Sequence, residues 1–425
     1  MVKSVASRGV QSVASHAERV TKFIARQPIF DRDQRVFGYE LLFRPGEMNS
    51  PGEFDPEDAT RHVIADVTLL HGLDKLADHR KAFINFTAQT LGGDYFAMLP
   101  KDQVVIEILE SVEPAEDVLA NCLRLKEAGY CLALDDVQVC SRVDDFLDLV
   151  DIIKVDFRAS TPEERRLLIV RFAPRGLALL AEKVETFEEF QLAKKIGFQY
   201  FQGYFFSKPQ MIASRDLPAF QANYLRILQA IHRPEMNRQE VERIIKSEPS
   251  LCYKLLRYLN SPFFGFRSRI SSIRHAVTLL GETQFRCWAS LLAVASMAAG
   301  KPEELVITSL IRAAWCESLA TEFGMAGQEG DLFLLGLFSL IDAMLDQPLP
   351  VLLDQLPLSE EIRLGLLLRD SPFADVLRVV EAYEGGDWEE LTTLTSCLGI
   401  DEKKIPETYL DALEWARGIF QISPD

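Results

Sequence analysis

Between residues 36 and 202 the chain repeats one pattern seven times: a short apolar run that stops on a polar or charged side chain. VFGYE stops at Glu40, AFIN at Asn85, VVIE at Glu107, CLALDD at Asp135 and Asp136, DIIK at Lys154, LALLAE at Glu182 and YFQ at Gln202. Runs of this length, bounded by loop residues, read as buried strands. The segments between them carry helix signals. SVEPAEDVLANCLRLKEAGY puts Val118, Cys122 and Leu125 on one face and stops at Gly129, while TPEE (161–164) and TFEE (186–189) each offer a threonine N-cap with a glutamate three residues on. Strands alternating with helices predict a parallel sheet, either doubly wound or closed into a barrel. A barrel is favoured, because there every strand terminus points at one shared face. A single polar residue at a strand end often just starts a loop; seven in succession predict a common site.

The residue types say what such a site can do. Glu40, Asn85, Glu107 and Asp135 are hard oxygen donors, suited to Mg²⁺ or Mn²⁺ rather than zinc. Asp136 can hold a second ion, Lys154 can orient a metal-bound water, and Glu182 and Gln202 complete the ring. These are the parts of a metal-assisted phosphodiester hydrolase.

Composition narrows the partners. With 46 Lys+Arg against 63 Asp+Glu, a net charge of −17, the chain has no basic face for duplex nucleic acid or an anionic membrane, although a local pocket for a small nucleotide stays open. Its 425 residues, 48% of them hydrophobic, allow more than one full-sized core. Seven scattered cysteines without a CxxC pair fit a reduced cytoplasm. No stretch is apolar enough to read as a membrane span, and residues 1–21 read as a weakly structured tail.

Residues 22–213 resemble the EAL domain, a (β/α)8 barrel family that hydrolyses cyclic di-GMP to its linear dinucleotide. YELLFR stands for the family's E-A-L-x-R signature, followed in order by FINFT, IEILE, LALDD, IIKVD, AEKVET and FQGYFFSKP. The resemblance implies Mg²⁺ or Mn²⁺ at Glu40, Asn85, Glu107 and Asp135, a second-metal carboxylate at Asp136, and Lys154 near the attacking water. It further implies Glu182 and Gln202 in the site, Arg44 on a nucleotide phosphate and Glu185 as a loop-stabilising acid.

Three departures accompany the match. Leu41 replaces the signature alanine, on the strand face opposite Glu40. Val137 to Cys140, VQVC, stand where active members carry F-G-T-G, and β-branched residues do not take the positive φ of a glycine lid. The segment after Arg44, PGEMNSPGEFDPEDATRHVIADV, lacks the sequence that shapes the nucleotide pocket in active members.

From residue 214 to 425 the strands give way to long helical stretches, with Leu225, Leu228 and Ile231 at helical spacing. EPSLCYKLLRYLNSPFFGF, ISSIRHAVTLLG and FLLGLFSLIDAML resemble the HDOD family, all-helical relatives of HD-type phosphohydrolases that have lost the catalytic residues. Where a working HD enzyme has G-L-L-H-D, this chain has Gly336, Leu337, Phe338, Ser339 and Leu340, and only His232 and His275 lie in this half. The half is expected to bind a protein partner rather than catalyse. NSPFFGF (260–266), Trp288 and Trp315 read as core packing, and GGD (385–387) as a turn whose Asp387 caps the next helix.

The expectation is a cytoplasmic signalling protein: a degenerate EAL barrel that receives cyclic di-GMP or acts as a scaffold, joined to an HDOD module, with a homodimer compatible. The alternative is an active cyclic di-GMP phosphodiesterase regulated by its helical half.

Overall fold

The computed structural model describes residues 22–45, 72–208 and 219–422, apart from positions 94, 142, 234, 271, 299 and 370 and most of 247–269. The N-terminal tail, nearly all of the PGEMNSPGEFDPEDATRHVIADV segment and most of NSPFFGF lie outside the described residues. Eight strands close into a barrel in chain order: β1 (Lys22–Phe30), β2 (Val36–Pro45), β3 (Lys81–Phe86), β4 (Val104–Ile108), β5 (Cys131–Leu134), β6 (Ile152–Asp156), β7 (Ala178–Glu182) and β8 (Tyr200–Gln202). Strands β2 to β8 run parallel to one another, as the sequence pattern predicts.

β1 is the exception. It pairs antiparallel with both β2 and β8. The link from β1 to β2 is a tight turn in which Asp31 Oδ1 accepts from the amides of Asp33 (2.8 Å) and Arg35 (2.9 Å). A connection that short makes a hairpin and cannot carry the crossover helix a parallel pair needs. Elsewhere the helices form where the caps place them. Thr161 and Thr186 each complete a capping box, with Glu164 and Glu189, at the starts of helices Pro162–Phe172 and Phe187–Ile196.

The two-residue period of the strands builds the barrel interior in layers. Ile29, Phe83, Val105, Ala133, Ile152 and Leu180 form a buried apolar plug, with Tyr200 packed against it. Two residues further along each parallel strand come Asn85, Glu107, Asp135, Lys154, Glu182 and Gln202. The plug closes the barrel below and the polar layer sits directly on it.

The described residues from Ala219 to Ile422 contain helices and no strand. Helices Glu303–Leu319 and Glu329–Phe338 approach so closely that a Cβ on Gly336 would lie 2.2 Å from the Arg312 carbonyl oxygen, so only glycine fits there. Trp315 is fully buried and donates its indole N–H to Thr408, and Trp288 is buried as well, both packing as expected. The C-terminal helices lie against β1 and β2. Tyr383 Oη donates to the Ile24 carbonyl (3.0 Å) and accepts from its amide (3.1 Å), while Tyr39 Oη donates to Glu304 (2.8 Å).

Candidate active site

The polar layer converges on one atom. Lys154 Nζ lies 2.8 Å from Glu107 Oε1, 2.8 Å from Glu182 Oε1, 2.9 Å from Asp135 Oδ1 and 3.4 Å from Glu40 Oε2. Lys154, Glu40, Glu107 and Glu182 are all buried, which is tolerable for charges only because they are held together. Two amides orient Glu40: Asn85 Nδ2 donates to Oε1 (3.2 Å) and Gln202 Nε2 to Oε2 (2.8 Å).

Burial and crowding split the carboxyl groups. Burial pushes the Glu107 carboxyl well above its usual range, and the Glu40 charge adds to this. Burial likewise raises Glu182, to about 8, although Lys154 pulls the other way. At Glu40 the balance is reversed: burial opposes ionisation, but the Lys154 ammonium and the two amide hydrogen bonds outweigh it and hold the carboxyl below its ordinary value. Lys154, surrounded by carboxylates, is held protonated with its pKa raised despite burial.

Asp136 follows at the strand end with φ of +43°, so the bend that a glycine could supply falls on an aspartate. Burial and the neighbouring Asp135 raise its carboxyl, and its Oδ1 is buried without a hydrogen-bond donor among the described residues. Val137 then turns into the core and donates its amide to the Lys154 carbonyl (3.0 Å), while Gln138, Val139 and Cys140 are exposed. The VQVC segment thus anchors through Val137 beside the carboxylates and presents its other three residues to solvent. Glu185 stands outside the cluster, half exposed, bridging Arg158 and Lys208 at 3.3 Å each.

The donor set fits a hard divalent cation. Oxygens of Glu40, Glu107 and Asp135 already surround a positive charge, and Glu107 Oε2 and Gln202 Oε1 are buried without a hydrogen-bond donor among the described residues. Among the described residues, however, no three carboxylate, histidine or cysteine side chains are already set around a vacant point as ligands. The centre belongs to the lysine.

Arg44 is not part of this cluster. Its Nη1 donates to the Trp388 carbonyl (3.1 Å), Thr392 Oγ1 (2.8 Å) and Glu402 Oε1 (2.9 Å), and its guanidinium lies over the Phe23 ring at 4.9 Å. Its guanidinium clamps the C-terminal helices onto β2. Arg44→Ala should therefore lower stability by about 2–3 kcal/mol, the range of charged hydrogen bonds lost from a buried site. An unchanged urea midpoint would return Arg44 to the list of ligand contacts.

One polar-layer residue escapes the strand-end pattern. Gln27 lies opposite Glu40 in the β1–β2 ladder, and its Oε1 accepts from Gln202 Nε2 (3.0 Å). Because β1 runs the other way, its polar residue precedes the apolar one, Gln27 before Ile29. Reading RQPIF backwards would have exposed the same pattern.

The EAL domain family matches residues 14–209 and the HDOD domain family residues 217–345. The uncharacterized protein YuxH of Bacillus subtilis is 35% identical over 405 residues, 93% of this chain and 98% of that protein. The cyclic di-GMP phosphodiesterase CdgJ of Vibrio cholerae is 34% identical over 402 residues, 94% of this chain and 93% of that one. The chain belongs to the EAL–HDOD family. Among solved structures, the EAL domain of Mycobacterium smegmatis DcpA is 26% identical with a TM-score of 0.35, covering 43% of this chain and 90% of that one.

In the HDOD half, Ser339 donates to the Gly336 carbonyl (2.8 Å) and accepts from Arg312 (3.2 Å), and Leu340 is buried. Arg312 is itself held by Glu384 at 2.7 Å, so Ser339 is tied into a helix-packing ion pair. His232 is buried, shares a 2.7 Å hydrogen bond with Ser290, and is pushed by burial down to about 3, hence neutral. His275 is half buried on its helix. Among the described residues no helix is long and apolar enough to cross a membrane.

Proposed function

We propose that this protein hydrolyses cyclic di-GMP to its linear dinucleotide in the EAL barrel, residues 22–213, while the helical half, 214–425, supports the barrel and binds a protein partner. The observation that carries the reading is the convergence of Glu40, Glu107, Asp135 and Glu182 on Lys154, with Asn85 and Gln202 fixing Glu40. A scaffold has no need to bury that many carboxylates together at the desolvation cost they carry. The full-length likeness to a protein named as a cyclic di-GMP phosphodiesterase supports the substrate class.

Glu40, Asn85, Glu107 and Asp135 would hold Mg²⁺ or Mn²⁺, with Asp136 available to a second ion. Such an ion supplies an activated water and neutralises phosphate charge when bound. The chain's own groups do the rest. Lys154 holds the carboxylates together and its ammonium orients the water toward phosphorus. Glu182, poised near 8, accepts or returns a proton at its Oε1. Gln202 Oε1, which accepts no hydrogen bond among the described residues, is free to take one from that water.

A receptor reading has its own support, in the capture of Arg44 by the C-terminal helices and the VQVC loop. One assay separates them: the full chain with Mn²⁺ or Mg²⁺ and cyclic di-GMP, the linear product followed by chromatography. Turnover abolished by Glu40→Ala is expected, and that variant should show no residual metal-dependent hydrolysis from the helical half. Calorimetric binding without product would establish the receptor, and neither binding nor product the scaffold.

A further inference from the structure

A chain of hydrogen bonds runs from the helical half to the carboxylate cluster. The turn Gly385–Asp387 joins helices Pro372–Glu384 and Trp388–Leu398, and Asp387 caps the second by accepting from the Glu390 amide (3.0 Å). This turn, legible in the sequence as GGD, docks on the barrel: Gly386 has φ of +67°, and a Cβ there would lie 2.6 Å from Leu42 Cδ1. The Gly385 carbonyl accepts from Gln27 Nε2 (3.1 Å). Gln27 Oε1 accepts from Gln202 Nε2 (3.0 Å), and Gln202 Nε2 also donates to Glu40 Oε2 (2.8 Å).

The polarity of this chain is dictated from both ends. A backbone carbonyl can only accept, so Gln27 must turn its NH₂ toward Gly385 and its oxygen toward Gln202. An ionised Glu40 can only accept as well, so Gln202 must aim both N–H groups at Glu40 and Gln27. Gln202 Oε1 is thereby left without a donor among the described residues. The amide of Gln202 has no orientation to choose once the two acceptors are in place.

We infer that Gln27 is a positioning residue through which the Gly385–Asp387 turn holds Gln202, and with it Glu40, in the geometry the site requires. The helical half thus acts on the barrel site without supplying any residue to it. A small cavity of about 50 Å³ between barrel and C-terminal helices borders Gln27 beside Tyr204 and Glu384. The Gly385 hydrogen bond lies at the edge of this cavity, outside the barrel core. The inference rests on the proposed metal-dependent reading for its consequence, but the linkage itself is present in the metal-free chain.

Two readouts on the full chain test it. In metal-free protein labelled with ¹⁵N at glutamine, the Gln202 side-chain amide, identified by its loss in Gln202→Leu, should show slow exchange. Gln27→Leu should accelerate that exchange, and Gly386→Ala, which prises the turn off Leu42 while leaving Gln27 intact, should do the same. By calorimetry with Mn²⁺, Gln27→Leu should weaken binding about 3- to 10-fold, below the full range for direct partners of a metal ligand. The double variant Gln27→Leu/Gln202→Leu should bind no more weakly than Gln202→Leu alone, because one residue acts through the other. Gln202 resonances unmoved by Gln27→Leu, or additive losses in the double variant, overturn the inference. A wild type that takes up no Mn²⁺ refutes the metal reading instead, and the amide exchange then decides the linkage by itself.

Discussion

Glu107→Gln should melt at the wild-type temperature in chelator and gain nothing when Mn²⁺ is added. Glu107 is fully buried between Glu40, Asp135 and Lys154, and burial first, then the Glu40 charge, holds its carboxyl well above the usual range. That direction favours the protonated carboxyl in the metal-free protein, and a glutamine is close to a protonated glutamate in size and charge. The wild type, by contrast, can release that proton to a cation. A ligand bound only to the folded state contributes about 2.7 kcal/mol when present at 100 times its dissociation constant, which in a domain of this size is a rise of about 5–10 °C. Calorimetric melts with chelator and with Mn²⁺ compare the two proteins directly. A variant that loses several degrees in chelator would mean that Glu107 is ionised and paired with Lys154 at all times. The Lys154 ammonium already offsets part of the like-charge repulsion among these carboxylates, so a metal competes with it for them.

Much of the barrel and its polar layer was legible because both follow from a period of two. Once Phe83, Val105, Ala133, Ile152 and Leu180 must face inward, Asn85, Glu107, Asp135, Lys154 and Glu182 must as well, whatever the loops do. β1 was missed because its connection to β2 is a hairpin, which reverses the order of apolar and polar residues and leaves Gln27 upstream of Ile29. The clamp made by Arg44 was not legible for a different reason. Its partners Trp388, Thr392 and Glu402 lie more than 340 positions away, and no local pattern reports a contact across that separation. The centre of the cluster was also not predictable from residue types. They identify carboxylates and a lysine, but only the closed barrel shows that Lys154 stands where the four carboxylates meet, and that Asp136 bends away at positive φ.

Lys154→Met should destabilise the metal-free protein by about 3–5 kcal/mol at pH 8, because removing one member of a buried charge cluster leaves the others uncompensated. The loss should shrink toward pH 5, and the sign follows from the acids. Glu182 already has its folded value raised from 4.5 to about 8, so its contribution to stability is present below 4.5 and is lost as pH rises through 8. Lys154 is the one group that pulls Glu182 and Glu107 down. Without it both hold protons to higher pH in the folded state, so the fall in stability that levels off near pH 8 for Glu182 in the wild type continues to higher pH, at up to about 1.4 kcal/mol per unit for each proton involved. Glu40 shifts the other way: its carboxyl, lowered chiefly by Lys154 against burial, loses the charge partner that made its ionised form stabilising. Mn²⁺ should restore the melting temperature of this variant by more than it raises that of the wild type, since no ammonium competes for the carboxylates. Hydrolysis of cyclic di-GMP should stay lost even so, because the restored charge balance does not replace the group that orients water. Urea titrations at pH 5.5 and 8, with chelator and with Mn²⁺, read the stability, and chromatography reads the product. A variant as stable as the wild type at pH 8 in chelator would show that the ammonium does not balance these carboxylates. A variant that turns over normally in Mn²⁺ would confine Lys154 to holding the site together.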